Sequence, residues 1–273
     1  MKKKLFMIQQ YVNYRLHAKT THGTHSPFVY DLLKKVIYNP HSFYAYQEIE
    51  ARREELLQSK ECITCLDLGA GSSGENQCTR TVRSITKRSV KPAKYGQLLF
   101  RLINYFQTKN ALELGTSLGI TTCYLCAAHS DCQVTTIEGC AEAALVAQKN
   151  WQRLGYKNAT QHIGNFDDEL PTVLKEMKNL DFVFFDGNHR KDPTLNYFNQ
   201  CMEKRHEKSV FVIDDIYWSP EMKEAWDIIK ADERVTVTID LFYVGLVFFR
   251  KGQAKEDFVL ILPGSVHGHI IPK

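Results

Sequence analysis

The sequence predicts an α/β protein: a doubly wound, mostly parallel, seven-stranded sheet with an antiparallel C-terminal hairpin, preceded by a mainly helical N-terminal cap. Three observations lead there. From Gly96 onward, short apolar runs alternate with longer amphipathic ones, the pattern of a parallel sheet covered by helices on both faces. The stretch Val235 to Arg250 holds two β runs with almost no room between them, so its last strands are antiparallel. Residues 1 to about 60 instead space their apolar side chains as helices do.

The elements follow in order. Ser26-Pro27 is an N-cap followed by a first-turn proline, opening a helix from Phe28 to Tyr38. Strands are expected at 110–114, 133–138, 159–163, 181–186 and 209–214, with helices at 118–129, 141–154, 168–178 and 192–204 between them. Ser219-Pro220 caps one more helix, ending near Ala231. Residues 1–95 are read as the cap or extension and 96–273 as the ligand-binding domain. The apolar tail Phe258-Val-Leu-Ile-Leu262 packs either on the sheet or on a second copy, a homodimer being the assembly that the latter would make.

Composition narrows the class. Of 273 residues, 44% are hydrophobic and 24% charged, enough apolar surface for a core without staples. No run approaches the ~18 apolar residues of a membrane span. Lys2-Lys-Lys4 imitates a secretory leader, but the apolar run after it stops at Gln9, so the cytoplasm is the expected compartment. Eight cysteines do not make a disulfide scaffold in a chain of this size. Cys62/Cys65 and Cys123/Cys126 have zinc-like spacing, but they sit in apolar runs where a reduced thiol packs as a small hydrophobe. His22 and His25 are read as loop histidines bonded locally rather than half a metal site. A net charge of +4 is too weak to argue for nucleic acid, although 80–109 contains eight Lys or Arg and no acid. A solvated basic face explains that stretch.

Two glycine-rich loops compete for the ligand. Gly69, Gly71 and Gly74 match G-x-G-x-x-G literally. A dinucleotide reading also needs an acid about 20 residues on to hold the ribose, and none appears until Glu113. The second loop, Glu113-Leu-Gly-Thr-Ser-Leu-Gly119, misses that string but has the context. A strand precedes it, a helix follows, and the next strand ends in Glu138, 19 residues beyond Gly119, where a carboxylate accepts both ribose hydroxyls. Gly115 lets the backbone approach the ligand closely.

Read together, these motifs resemble the class I S-adenosylmethionine-dependent methyltransferases, whose sheet is Rossmann-like, and among them the catechol O-methyltransferase branch. Tyr95-Gly-Gln-Leu-Leu99 matches the lead-in helix, Thr136-Ile-Glu138 the ribose strand and His162-Ile-Gly-Asn-Phe-Asp167 the loop beside the adenine. Asp181 to Gly187 matches the fourth strand and Val212-Ile-Asp-Asp215 the fifth. The resemblance runs from about Gly96 to Arg250 and leaves the first 95 residues outside.

It implies a cofactor site built from Glu113, Gly115, Thr116, Ser117, Gly119, Glu138, Gly164, Asn165, Phe166 and Asp186, with S-adenosyl-L-methionine as donor. It implies metal ligands at Asp186, Asp214 and Asp215, positions the branch fills with Asp, Asp and Asn. Hard oxygen ligands there suit Mg2+ or another divalent cation, and the aspartate at 215 is a departure. His189 stands where the branch carries a catalytic lysine, three residues past Asp186, and is the candidate base. The implied reaction is O-methylation of a small molecule by in-line transfer to a deprotonated acceptor. Two alternatives stay open: a nucleic-acid methyltransferase using 80–109, which the strand end Asp-Gly-Asn-His189 weighs against, and an NAD-dependent oxidoreductase using Gly69–Gly74.

Overall fold

The structure is a computed structural model describing residues 2–20, 25–66 and 77–263. The loop Gly69–Gly74 and His22 lie outside the described residues. In chain order the helices are α1 (Lys2–His17), α2 (Pro27–Leu32), α3 (Tyr44–Gln58), α4 (Val82–Arg88), α5 (Ala93–Phe106), α6 (Ile120–Ala128), α7 (Ala141–Arg153), α8 (Phe166–Glu176), α9 (Lys191–Met202) and α10 (Pro220–Ala231). The strands are β1 (Cys62–Leu66), β2 (Gln77–Thr81), β3 (Asn110–Leu114), β4 (Gln133–Glu138), β5 (Ala159–Ile163), β6 (Leu180–Phe185), β7 (Arg205–Asp214), β8 (Val237–Asp240), β9 (Val244–Phe248) and β10 (Glu256–Val259). The predicted fold class holds: mixed α/β with mainly parallel strands and an antiparallel hairpin. β10, parallel to β8, is a strand beyond the seven expected, and it takes the apolar tail into the sheet. No described helix is long and apolar enough to cross a membrane.

Two compact units divide the chain: Met1–Asn39 with Asp181–Lys273, and Pro40–Leu180. In the Pro40–Leu180 unit, β3, β4 and β5 pair in parallel, with Glu113 opposite Thr136 and Glu138 opposite Ile163. Parallel strands covered on both faces are apolar almost throughout, and Leu112, Leu114, Val134 and Ile137 are buried. Helix α5 buries Leu98, Leu99, Leu102 and Ile103. It approaches α6 closely at Gly96, where a Cβ would lie 2.3 Å from the Tyr124 ring. Helix α3 adds Tyr46 edge-on to Phe100 at 5.0 Å, and its Glu50 accepts from the Tyr124 hydroxyl at 2.8 Å. β1 and β2 form a separate antiparallel pair.

The acid-free stretch 80–109 does not make one face. Arg83, Lys87 and Arg88 of α4 are exposed, but Arg101 of α5 is buried. Cys123 and Cys126 are free and buried within α6, their thiols pushed up by desolvation. Cys140, whose sulfur caps α7 by accepting from the Ala143 amide, is disulfide-bonded.

In the other unit the strand order is β10-β8-β9-β7-β6. β9 runs antiparallel to both neighbours, pairing Val210 with Phe248 and Asp214 with Val244. Gly245 of β9 admits the Trp226 ring of α10, which a Cβ would meet at 2.6 Å. Helix α1 docks through Tyr14, whose hydroxyl donates to the Leu260 carbonyl at 2.5 Å, and through Tyr11 and Tyr14 against Phe242. Ser26 caps α2 as expected, accepting from the Val29 amide, although the helix passes into a π-turn at Leu33–Ile37.

Gly119, placed in the cofactor site by resemblance, has a clear packing role. It is the left-handed N-cap of α6 (φ 73), and a Cβ there would lie 2.8 Å from the Ala147 Cβ of α7. Both the backbone conformation and the space reject a side chain. Gly119→Ala is expected to destabilise the fold by about 1–3 kcal/mol. Urea denaturation checks this, and an unchanged midpoint would remove the packing role.

Candidate functional site

In the Pro40–Leu180 unit, the loop after β3 folds onto the end of β4. Gly115 sits at φ 105, accessible to glycine alone, and its amide donates to the Ile137 carbonyl at 3.0 Å. Ser117, also left-handed at φ 49, donates its amide to Glu138 Oε2 at 2.7 Å. The Cys140 amide donates to Oε1 at 2.9 Å. Burial pushes the Glu138 carboxyl up, while these backbone amides and those of Gly139 and Thr116 pull it down. The two shortest of these bonds fall one on each carboxylate oxygen, which fixes Glu138 at the end of β4.

Beneath this loop lies a buried polar cluster. Glu113 is 0% exposed, and its Oε2 accepts from the Thr122 hydroxyl at 2.5 Å and the Thr136 hydroxyl at 2.7 Å. Thr116 joins through Thr136 at 2.5 Å. Glu113 Oε1 is buried without a hydrogen-bond partner among the described residues. Glu113 and Thr116 thus brace the loop from below, with one acceptor left over. Asn165 N-caps α8 by accepting from the Asp167 amide at 3.2 Å. Gly164 bonds to the Glu138 carbonyl at 3.0 Å, joining the β5 end to the β4 end. Phe166 opens α8, half-buried.

The other unit gathers the remaining predicted residues. Asp186, His189 and Asp214 bring one ligand atom each within 4.8 Å of one another. His189 Nε2 lies 3.8 Å from Asp186 Oδ1 and 4.0 Å from Asp215 Oδ2. Asp214 is 0% exposed, whereas Asp215, in a left-handed conformation (φ 52), is half-buried beside the same histidine. The three expected carboxylates do cluster, but the tightest set contains the histidine in place of Asp215. Two carboxylates and an imidazole are a donor set for a divalent cation.

Sequence reasoning missed Lys3 and Trp218. The Lys3 ammonium sits 3.2 Å from the Trp218 ring centroid; burial pulls its pKa below the ordinary value, against the opposing attraction of Asp215. Nothing in the run Lys2-Lys-Lys4 distinguishes the one lysine that α1 turns toward the acidic cluster. Tyr217 and Asp240 form a further pair, the hydroxyl donating to the carboxylate at 2.6 Å.

Residues 112–216 match the family described as a methyltransferase domain. The chain is similar to a catechol O-methyltransferase of Niastella koreensis, 32% identical over 131 residues, covering 47% of this chain and 58% of that protein. It is also similar to O-methyltransferase imqG of Aspergillus flavus, 28% identical over 133 residues, covering 46% of this chain and 53% of that protein. The chain spans just over half the length of the curated relatives it matches. Among solved structures, it resembles the O-methyltransferase TomG from Streptomyces achromogenes in complex with S-adenosylmethionine. The TM-score is 0.55 at 21% identity, over 81% of this chain and 95% of that one. At that identity the likeness is one of fold. The resemblance to class I methyltransferases, and to their catechol O-methyltransferase branch, is borne out.

The Glu113 environment has a pH signature. Desolvation pushes its carboxyl from 4.5 up to about 7, outweighing the pull of the Thr122 and Thr136 hydroxyls. The folded state therefore binds this proton more tightly than the unfolded state. Its contribution to stability is full below pH 4.5 and is lost as pH rises through about 7. At about 1.4 kcal/mol per pH unit, the change approaches 3 kcal/mol. Glu113→Gln, which cannot ionise, should gain about that much on the wild type between pH 4.5 and 8. Urea titrations of both proteins at the two pH values test this; a constant difference would refute it.

Proposed function

We propose that this chain is an S-adenosylmethionine-dependent O-methyltransferase acting on a small-molecule acceptor in the cytoplasm. The observation that carries the reading is Glu138: a strand-end carboxylate fastened by the Ser117 and Cys140 amides, beside a loop kept slim by Gly115. That arrangement suits a ribose with two free hydroxyls. Its relatives are named as O-methyltransferases, which supports the reaction class.

When bound, the donor supplies a methyl group on a positively charged sulfonium. The acceptor oxygen forms a bond to that carbon as the carbon–sulfur bond breaks, the electron pair stays on sulfur, and the acceptor proton must leave. Gly115, Thr116, Ser117 and Glu138 hold the donor in this reading, with Gly164, Asn165 and Phe166 at its adenine end. Glu113 acts from below by bracing the loop, and its spare oxygen accommodates a water or a ligand donor group.

On the acceptor side, Asp186, His189 and Asp214 fit a divalent cation, which when bound lowers the pKa of an acceptor hydroxyl and orients it. His189 is then a ligand through Nε2, the atom facing the carboxylates. A ring nitrogen whose lone pair is committed to a metal cannot also accept the acceptor's proton. Without a cation, His189 is free to act as the base. Asp215 remains outside the set, paired electrostatically with Lys3. Residues 1–95 act as the substrate cap in this reading, and within it Lys3 of α1 lies against Trp218 and interacts electrostatically with Asp215.

Calorimetric titration tests donor binding. S-adenosylmethionine and S-adenosylhomocysteine should bind and NAD should not; no heat from the first two would defeat the proposal. Glu138→Ala should weaken donor binding by roughly 10–100-fold, since hydrogen bonds to a charged acceptor contribute about 1.5–3 kcal/mol. Undiminished affinity would mean that the ribose sits elsewhere. A chelator should abolish methyl transfer, with activity restored by added divalent cation. Activity indifferent to the chelator but lost in His189→Ala would replace the metal by a histidine base.

A further inference from the structure

The start of β7 and the residues after β9 line an open, basic cleft. Its volume is about 840 Å3, and Arg205, Lys208, Arg234, Arg250 and Lys251 line it with a single acid, Glu207. All belong to the unit formed by Met1–Asn39 and Asp181–Lys273. The antiparallel register explains the gathering: Val210 pairs with Phe248, so the residues flanking that pair on each strand lie side by side. The left-handed turn at Gly252 (φ 70) returns the chain along the same rim.

The arginines are held in place. Arg205 donates Nη1 to the Met202 carbonyl at 2.8 Å, and its guanidinium lies 5.5 Å from the Phe249 ring. Arg250 stacks 4.1 Å from the Phe28 ring and donates Nε to Gln253 Oε1 at 3.1 Å. Arg234 is anchored by Asp232 and Asn199. Each anchor leaves part of the five-donor fork unused. Lys208 and Lys251 are exposed, and neither ammonium has a partner among the described residues. Asp232 offsets the charge of Arg234, so Arg205, Lys208, Arg250 and Lys251, with Glu207 beside them, leave the cleft with a net positive charge that an anion would relieve.

We infer that this cleft binds a small polyanion carrying two or more phosphate groups. Pre-oriented guanidinium forks suit phosphate oxygens, and the volume falls within the ~300–1,000 Å3 of small-molecule pockets. A nucleic-acid backbone would call for a stripe of charge, whereas these charges converge. The cleft stands toward the opposite end of β7 from Asp214, about 20 Å away at ~3.3 Å per residue from Lys208, the lining residue of β7 nearest to it. It is therefore separate from the acidic cluster.

The test is calorimetry on the full chain with inorganic tripolyphosphate, in the presence of a chelator and saturating S-adenosylhomocysteine. Saturable one-to-one binding is expected. Lys208→Gln with Lys251→Gln should weaken it by at least about tenfold, given two lost charge-assisted contacts. Both side chains are exposed, so the fold is retained, as a matching thermal melt would verify. Lys149→Gln, on the exposed face of α7, should change nothing. The proposal is overturned if binding does not saturate or if the control loses as much affinity as the double variant. It is also overturned if a single-stranded RNA oligonucleotide binds through Lys208 and Lys251 while tripolyphosphate does not.

Discussion

Much of the Pro40–Leu180 unit is organised by the need to satisfy two acidic side chains taken largely out of water. Glu138 recruits backbone amides from the loop after β3 and from the first turn toward α7. Glu113, one strand over, recruits hydroxyls from α6 and β4. A buried carboxylate without donors is costly, so each acid dictates where its neighbours go. The loop at Gly115 lies where it does because Ser117 must reach Glu138. The threonines at 116, 122 and 136 are hydroxyl-bearing because Glu113 must be solvated from within. A ligand loop and a buried polar network are thus two consequences of the same electrostatic demand.

Much of this was legible in the sequence, for identifiable reasons. Strand boundaries at β3, β4 and β5 followed from apolar runs bounded by polar turns, and Glu138 followed from its place at a strand end. Gly115 and Gly119 look alike in the sequence. The structure separates them: Gly115 supplies a backbone angle (φ 105) that side-chain-bearing residues avoid, while Gly119 also lets α6 lie on α7. That difference depends on Ala147, which spacing alone does not bring near. The acid-free run 80–109 drew attention by its density. Helical periodicity then scatters it, turning Arg83 outward and Arg101 inward. The basic cleft shows the converse. Arg205, Arg234 and Arg250 are far apart along the chain and meet only through the β7–β9 register, so no local window reveals them.

Strand β7 also carries opposite charge at its two ends. It begins at Arg205 among cations and ends at Asp214 among carboxylates. Between these ends Val210, Phe211, Val212 and Ile213 are apolar and buried, so the charged residues sit in the first four positions and at the last. One element thereby presents anion-seeking chemistry at one end and cation-seeking chemistry at the other. The protein's modest net charge of +4 hides this separation.

Backbone strain gathers at the ends of elements. Among the described residues other than glycine, Gln107, Ser117, Asn188, Asp215 and Phe242 adopt positive φ; Gln107 ends α5, and the others follow the carboxyl ends of β3, β6, β7 and β8. For residues other than glycine such conformations cost of order 1–3 kcal/mol and persist only where the surroundings over-determine them. The surroundings are visible in two cases. Ser117 is held by Glu138, and Asn188 by the Arg190 guanidinium and the Tyr197 hydroxyl. At Asp215 the left-handed turn sets two consecutive aspartates apart: Asp214 is fully buried with Asp186 and His189, while Asp215 stays half-buried, 4.0 Å from His189 Nε2 and under the electrostatic influence of Lys3. One backbone angle thereby gives neighbouring, chemically identical side chains different degrees of burial.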